Sequence, residues 1–367
     1  MKIVISGGAG FVGGHLAVRL ARAGHDVVCF DNLVRRGSEI NLRRIAAAGA
    51  TFLHGDVRCP EDFLRIPIKP DAVLECCAQT TAVDGFTNPM YDYTNNLGGL
   101  FNVLEYCRKS DAGLVLWSTN KVYSGEFCNF WPTIEKPTRF EWDENFDYDS
   151  SWATPGVTHI ERGFSSLRGF NENAPLNGNQ HTVYGATKAA ADILVQEWSG
   201  SFGVPTVVNR LSCIYGPHQF GKVTQGWIAW FALARRLGLP VSYYGFGGKQ
   251  MRDCLFVDDL CDLIEVQLAR LPEISGSVYN VGGGNENTLS LLELTQKIDR
   301  HRGISGPDPI VVAEPRKFDQ KIYVSDISKV REELGWSPKT SLDRGLEQLF
   351  DWAFDPELDL SWTKFNA

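Results

Sequence analysis

A short apolar run, Lys2-Ile3-Val4-Ile5-Ser6, passes directly into Gly7-Gly8-Ala9-Gly10-Phe11-Val12-Gly13 and then into a helical pattern from His15 to Ala23. Buried strand, glycine turn and helix in that order open a doubly wound parallel α/β sheet with a dinucleotide site at the turn. Glycine lets backbone approach a pyrophosphate closely, and the start of the helix offers unpaired N–H groups to the anion. Gly7, Gly10 and Gly13 give the spacing G-x-x-G-x-x-G. A glycine motif alone is weak evidence; its place between strand and helix gives it weight.

The following segments fit the same unit. His25 to Phe30 reads as a second strand ending at Asp31, whose carboxylate can accept hydrogen bonds from both hydroxyls of an adenosine ribose and repels a 2′-phosphate. That selects NAD over NADP. Arg35 and Arg36 lie close by, either as solvated loop charges or as groups that soften the preference. Phe52 to Arg58 reads as a third strand with Asp56 at its exit, placed to meet the adenine amino group. Val73-Leu74-Glu75 leads to Cys76-Cys77-Ala78-Gln79, and Asn88 to Lys109 reads as one long helix carrying Asn95 and Asn96.

Gly113 to Trp117 forms a fifth strand that ends in Ser118-Thr119-Asn120-Lys121-Val122-Tyr123. The C-terminal ends of parallel strands face the ligand, so the Thr119 hydroxyl can reach a substrate oxygen. Tyr184 and Lys188 follow on a helix running to about Ser201, spaced to share one face. An ammonium beside a phenol favours the phenolate and gives a base usable near neutral pH. Alone, the pair would be an ordinary surface contact and Ser118-Thr119 an ordinary turn. Joined to the glycine loop, they read as a redox active site. Residues 125–180, rich in tryptophan, proline and asparagine, read as an insertion folding over that site.

After the sixth strand, Thr206 to Leu211, the character changes to an aromatic helix opened by Gln225-Gly226-Trp227 and to loops carrying Arg252 and Arg316. Two guanidinium groups facing a nucleotide-binding sheet can clamp a diphosphate; structural ion pairing is the competing role for each.

Composition removes other classes. A formal net charge of −8 leaves no basic face for nucleic acid. The 9 cysteines contain no C-x-x-C pair and no zinc spacing, so no metal site is expected. That usage suits a reducing cytoplasm. The apolar start is a strand and not a signal peptide, and no apolar run is long enough for a bilayer.

The glycine loop, Asp31, Asp56, Thr119, Tyr184-x-x-x-Lys188, residues 209–217, Arg252-Asp253 and Leu334-Gly335-Trp336-Ser337-Pro338 together resemble the extended short-chain dehydrogenase/reductases acting on nucleotide sugars. The likeness spans nearly the whole chain. Within that family, Ser118 to Tyr123, Gln225-Gly226-Trp227, Gly248 to Asp253, Leu289 to Leu294 and Asp319-Gln320 resemble the epimerases that invert C2 of a CDP-linked deoxyhexose. Glu75 stands where many relatives carry histidine, and Cys213 replaces an asparagine common before Tyr-Gly-Pro.

The resemblance implies an NAD site of Gly7, Gly10, Phe11, Val12, Gly13, Asp31, Asn32, Asp56, Val57, Gln79, Asn96, Tyr184 and Lys188. It implies Thr119, Tyr184 and Lys188 as catalytic residues. A substrate site for a CDP-linked or other NDP-linked sugar would draw on Asn120, Gln225, Trp227, Lys249, Arg252, Arg316 and Asp319. The expected NAD-binding domain is residues 1–211 with a return segment near 240–268. Residues 212–239 and 269–354 form the nucleotide-sugar lobe, and 355–367 a tail. The alternatives are a C4-epimerase of a UDP-sugar or other NDP-sugar, a 4,6-dehydratase, and a non-catalytic NAD-binding protein. Asn120-Lys121 stands where dehydratases carry an Asp-Glu pair, which weighs against elimination. The helices over 88–109 and 184–201 resemble those that pair relatives into a homodimer or homotetramer.

Overall fold

The computed structural model describes residues 1–146, 163–164, 169–303 and 305–365. At its centre is a seven-stranded parallel sheet. β1 (Lys2–Ser6) lies between β2 (Asp26–Asp31) and β4 (Ala72–Glu75). β3 (Thr51–His54) forms one edge beside β2. On the other side, β5 (Gly113–Thr119) follows β4, then Thr206–Leu211, then Ser277–Val281 at the edge.

The apolar runs follow from this layering, because a parallel sheet is covered on both faces. Ile3 and Ile5 pack with Leu16, Ala17 and Leu20 of α1 (Phe11–Arg22) and with Leu260, Leu263 and Ile264 of the helix Val257–Ala269. Val4, between them, faces the opposite side. There it meets Leu100, Val103 and Leu104 of the helix Leu100–Ser110 and Ala191, Val195 and Trp198 of the helix Thr182–Phe202. Alternation along a strand thus feeds two cores from one run of apolar residues.

The smaller lobe is built on Met251–Phe256, which pairs with Thr288–Ser290, Ile322–Tyr323 and Cys213–Tyr215. The helices Trp227–Arg236, Leu291–Arg302 and Leu342–Phe354 cover it. A capping box starts the second of these: the Glu293 N–H donates to Ser290 Oγ, and Glu293 Oε2 accepts from the Ser290 N–H.

The return to the nucleotide-binding sheet differs from the expected 240–268. Ser242–Tyr244 and Met251–Phe256 belong to the lobe; Val257–Ala269 lies on the main sheet and Ser277–Val281 is one of its strands. A five-residue strand such as Ser277–Val281 carries no mark of the sheet it joins. Its register with Thr206–Leu211 decides that.

The helix expected over Asn88–Lys109 is interrupted. Pro89–Asp92 is α-helical, Tyr93–Gly99 is a π-helical turn, and Leu100–Ser110 resumes the α-helix. The insertion also departs from expectation. Its described part, including the hairpin Thr133–Glu135/Phe140–Trp142, packs Trp131, Trp142, Phe164 and Phe170 against Tyr323 and lines neither cavity described below. Phe170 exchanges backbone hydrogen bonds with Val324 and Asp326. Residues 147–162 and 165–168 of the insertion lie outside the described residues.

Candidate active site

Two cavities meet over the C-terminal ends of the sheet strands. The first runs from the glycine turn along Asp31, Asn32, Val57, Cys76–Ala78 and Asn95 to Trp117, Ser118, Thr119, Tyr184 and Lys188. The second lies between the sheet and the smaller lobe, lined by Asn120, Lys121, Gln225, Trp227, Tyr244, Gln250, Arg252, Arg316 and Asp319, among others. Thr80, Thr119, Tyr184 and Gln225 line both. The proposed catalytic tyrosine therefore stands at their junction.

The first cavity fits a dinucleotide. Gly7 has φ +71°, and a Cβ there would meet the Cys76 carbonyl carbon at 2.8 Å. A Cβ on Gly13 would come within 2.3 Å of Gly7 O, so the turn and the start of α1 close only on glycine. Gly10, Phe11 and Val12 complete this wall. Asp31 holds the turn from the side: Oδ2 accepts from the Ala9 N–H at 3.1 Å and Oδ1 from the Leu33 N–H at 2.8 Å. Burial raises its pKa, and these two N–H groups oppose that.

Three residues expected here lie off the wall. Asp56 forms a bidentate pair with Arg58, at 2.9 and 2.6 Å, and accepts from Asn32 Nδ2 at 3.0 Å. Its carboxyl is held well below the usual range, chiefly by the Arg58 hydrogen bond. Gln79 turns its amide back onto the Thr81 backbone. Asn96 accepts from the Gln79 N–H at 2.7 Å and faces Asp92 and Thr187, while Asn95 takes the place on the wall. The π turn decides between the two asparagines, because its extra residue rotates the following side chains.

At the junction, Tyr184 and Thr119 both line the two cavities, with the Thr119 hydroxyl on the side of the Tyr184 phenol. Burial pushes the phenol up to about 12, and the Thr119 hydroxyl pulls against it. Thr119 also accepts from the Lys121 N–H at 3.3 Å, which fixes its rotamer at the strand end. Lys188 is buried on the same helical face as Tyr184, yet its Nζ donates to Trp117 O at 2.6 Å. Burial lowers its pKa, while Glu75 and Asp192 raise it. The expected depression of the Tyr184 pKa by Lys188 is therefore not a property of the protein groups alone. The ammonium is spent on a strand carbonyl and on buried carboxyls.

In the second cavity, Asp319 Oδ1 accepts from Arg252 at 2.8 Å and lies 3.5 Å from Lys121 Nζ, which also donates to Gln320 Oε1 at 3.2 Å. Burial pushes the Asp319 carboxyl up, but Arg252 and Lys121 outweigh it and the net shift is downward. Arg316 lies over the Tyr244 ring at 4.4 Å and donates to Val223 O. Lys249, expected to bind substrate, points away and pairs with Glu135 at 2.7 Å. Lys249 closes the turn Phe246–Gly248 in a helical backbone conformation just before the strand Met251–Phe256 begins, and from there its side chain leaves the cavity while Gln250 and Arg252 line it. Tyr244 is a wall residue that motif and spacing did not single out; Asn95, Ser118, Lys121 and Gln250 fell inside the stretches named from the sequence but were not assigned to the site.

Residues 3–151 match the model of the NAD dependent epimerase/dehydratase family, and residues 164–349 match that of GDP-mannose 4,6 dehydratase. CDP-paratose 2-epimerase of Salmonella typhi is 33% identical over 96% of this chain and 99% of its own length. A dTDP-glucose 4,6-dehydratase of Xanthomonas campestris is 29% identical over 95% and 92%. The structure of Thermus thermophilus UDP-glucose 4-epimerase in complex with NAD superposes with a TM-score of 0.73 at 26% identity, covering 97% and 100% of the two chains. The chain belongs to the NAD-dependent epimerase/dehydratase family of nucleotide-sugar enzymes, with the extended short-chain dehydrogenase/reductase fold and NAD as cofactor.

Proposed function

We propose that the protein inverts C2 of a CDP-linked deoxyhexose, of the CDP-paratose/CDP-tyvelose type, through a transient 2-ketone. The observation that carries this reading is the make-up of the second cavity. Its one carboxylate among the described lining residues, Asp319, is held by Arg252 and Lys121, and Asn120-Lys121 follows Thr119. A 4,6-dehydratase needs a further acid and base to remove water, and a carboxylate tied to two cations is a poor base. Likeness over the whole length to a C2-epimerase supports the same choice. A C4-epimerase would use the same Thr119 and Tyr184 with the sugar docked differently, and is the second reading.

The glycine turn, Asp31 and Lys188 would hold the cofactor, and bound NAD supplies the hydride acceptor and returns the hydride. Thr119 orients the C2 hydroxyl, and Tyr184 as phenolate takes its proton and gives it back after inversion. Lys188, anchored to Trp117 O, would bring its positive charge to the same site. Asn120, Gln225, Trp227, Arg252, Arg316 and Asp319 position the nucleotide sugar, with the arginines toward its diphosphate. For the ketone to accept hydride on its other face, the sugar must turn while the nucleotide stays held.

We also propose that the protein is a homodimer or homotetramer. Phe101, Ile193 and Phe202 are exposed on the helices Leu100–Ser110 and Thr182–Phe202, at 47%, 55% and 52%. Phe101 and Phe202 meet through the Trp198 ring, at 5.2 and 5.0 Å between centroids, and exposed large apolar side chains of this kind commonly mark an interface.

Deuterium tests the reaction. A substrate deuterated at C2 should give product that keeps deuterium at C2 on the opposite face, and reaction in heavy water should leave that carbon unlabelled. Solvent label at the inverted carbon would reject hydride return. Inversion at C4 with C2 untouched would favour the second reading.

A further inference from the structure

The sequence places Arg35 and Arg36 in the loop after Asp31, near the expected adenosine ribose, but Arg35 goes elsewhere. Its Nη1 donates to Thr80 Oγ1 at 3.1 Å and its Nη2 to Phe220 O at 3.2 Å and to Gln225 Oε1. Thr80 and Gln225 are two of the four residues that line both cavities, and Arg35 itself lines the first. The guanidinium thus sits in the partition between them. Its position is fixed from behind. Gly37 has φ +95°, and a Cβ there would meet Phe220 Cβ at 2.7 Å, so the turn carrying Arg35 is pressed onto the loop that supplies two of its acceptors.

All three acceptors are neutral. Among the described residues no carboxylate pairs with Arg35, whereas three other cations at these cavities have one nearby: Lys121 and Arg252 share Asp319, and Lys188 feels Glu75. Burial alone acts on Arg35, lowering its pKa to about 10, so it remains charged at neutral pH. Taking a guanidinium out of water without a counter-charge is costly. A cleft that keeps such a cation is built for an anion that arrives with the ligand, and a planar fork of donors suits phosphate oxygens.

We infer that Arg35 is a diphosphate-binding residue set in the wall between the two cavities. The inference rests on reading those cavities as the NAD and nucleotide-sugar sites, and the diphosphate is that of one ligand or the other. Because Arg35 also holds Phe220 and Gln225, the bound anion would fasten the 218–226 loop across the cleft.

Substituting Arg35→Met keeps much of the stem and removes the fork. On the cofactor side, NAD retained per chain after gel filtration and the Kd of NAD for stripped protein are measured. On the substrate side, CDP and UDP are titrated into NAD-loaded protein against CMP and UMP. Loss of a charge-assisted phosphate contact should weaken one ligand by about tenfold or more. Weaker NAD assigns the cofactor diphosphate. Weaker CDP or UDP with unchanged monophosphates assigns the sugar nucleotide. Arg35→Lys, which keeps charge but not the fork, should recover part of the loss and serves as the readout where Arg35→Met fails to fold. Unchanged affinity in both arms overturns the inference, as does equal weakening of mono- and diphosphates with NAD unaffected. None of these measurements requires turnover, so they stand apart from the choice between C2 and C4.

Discussion

Lys188 Nζ lies 2.6 Å from the carbonyl oxygen of Trp117, which ties the Tyr184 helix to the strand that ends in Thr119. With the bond that Ser118 Oγ donates to Asp192 Oδ2 at 2.9 Å, it holds the proposed base at a fixed spacing from the hydroxyl that orients its substrate. Tyr184, meanwhile, stays a high-pKa phenol in the field of the protein groups. It becomes a useful base at neutral pH only with a cation close to its oxygen, and both Lys188 and a bound nicotinamide would bring positive charge to this site.

Tyr184→Phe removes the proton-transfer group and keeps the ring. Turnover should fall by about 10²-fold or more while NAD stays bound, since general acid–base contributions are typically ~10²–10⁴-fold. Near-normal turnover would remove Tyr184 from the mechanism. Lys188→Met should move the pH optimum upward and loosen the contact with Trp117.

Asp31→Ala should erode the preference for NAD over NADP. The variant loses both ribose hydrogen bonds and the repulsion of a 2′-phosphate. Equilibrium binding of the two cofactors checks this, and comparable NADP binding by the unaltered protein would contradict the assignment.

Glu75 is buried at the end of β4, accepts from Ser6 Oγ and is pushed by burial up to about 7. Its unfolded value is near 4.5. The folded state therefore holds the proton more tightly, and stability should fall as pH rises from about 4.5 to about 7, then level off. Glu75→Gln should flatten that part of the Tm-versus-pH curve. An unaltered slope would mean that other groups produce it.

Arg252→Ala leaves Asp319 in a largely buried position with only Lys121 opposite. Removing one partner of a buried pair costs about 3 kcal/mol, and chemical denaturation should detect it. The KM for nucleotide sugar should rise in the same variant, with NAD binding unaffected.

Ile193→Asp and Phe101→Arg place charge at exposed apolar positions on the outer face of the two helices. If that face joins subunits, both should shift the protein to monomer in sedimentation, with NAD still bound. An unchanged assembly state would place the interface elsewhere.

Local chemistry makes the sheet and the cofactor turn legible in the amino-acid order itself. Strand, glycines and helix are contiguous, and Gly7 and Gly13 mark a close backbone approach that other residues would block. Asp31, Thr119 and the Tyr184/Lys188 pair are legible for the same reason: each sits at a strand end or on one helical face, where spacing fixes direction. Folding in three dimensions settled the rest. A π turn put Asn95 and not Asn96 on the cleft wall, the turn before Met251 sent Lys249 out to Glu135, and register with Thr206–Leu211 drew Ser277–Val281 into the main sheet. The described part of the insertion packed onto the smaller lobe because Trp131, Trp142, Phe164 and Phe170 found Tyr323 there. Arg35 shows the limit most plainly, since its partners Thr80, Phe220 and Gln225 are distant in the chain and only the closed fold brings them to one guanidinium.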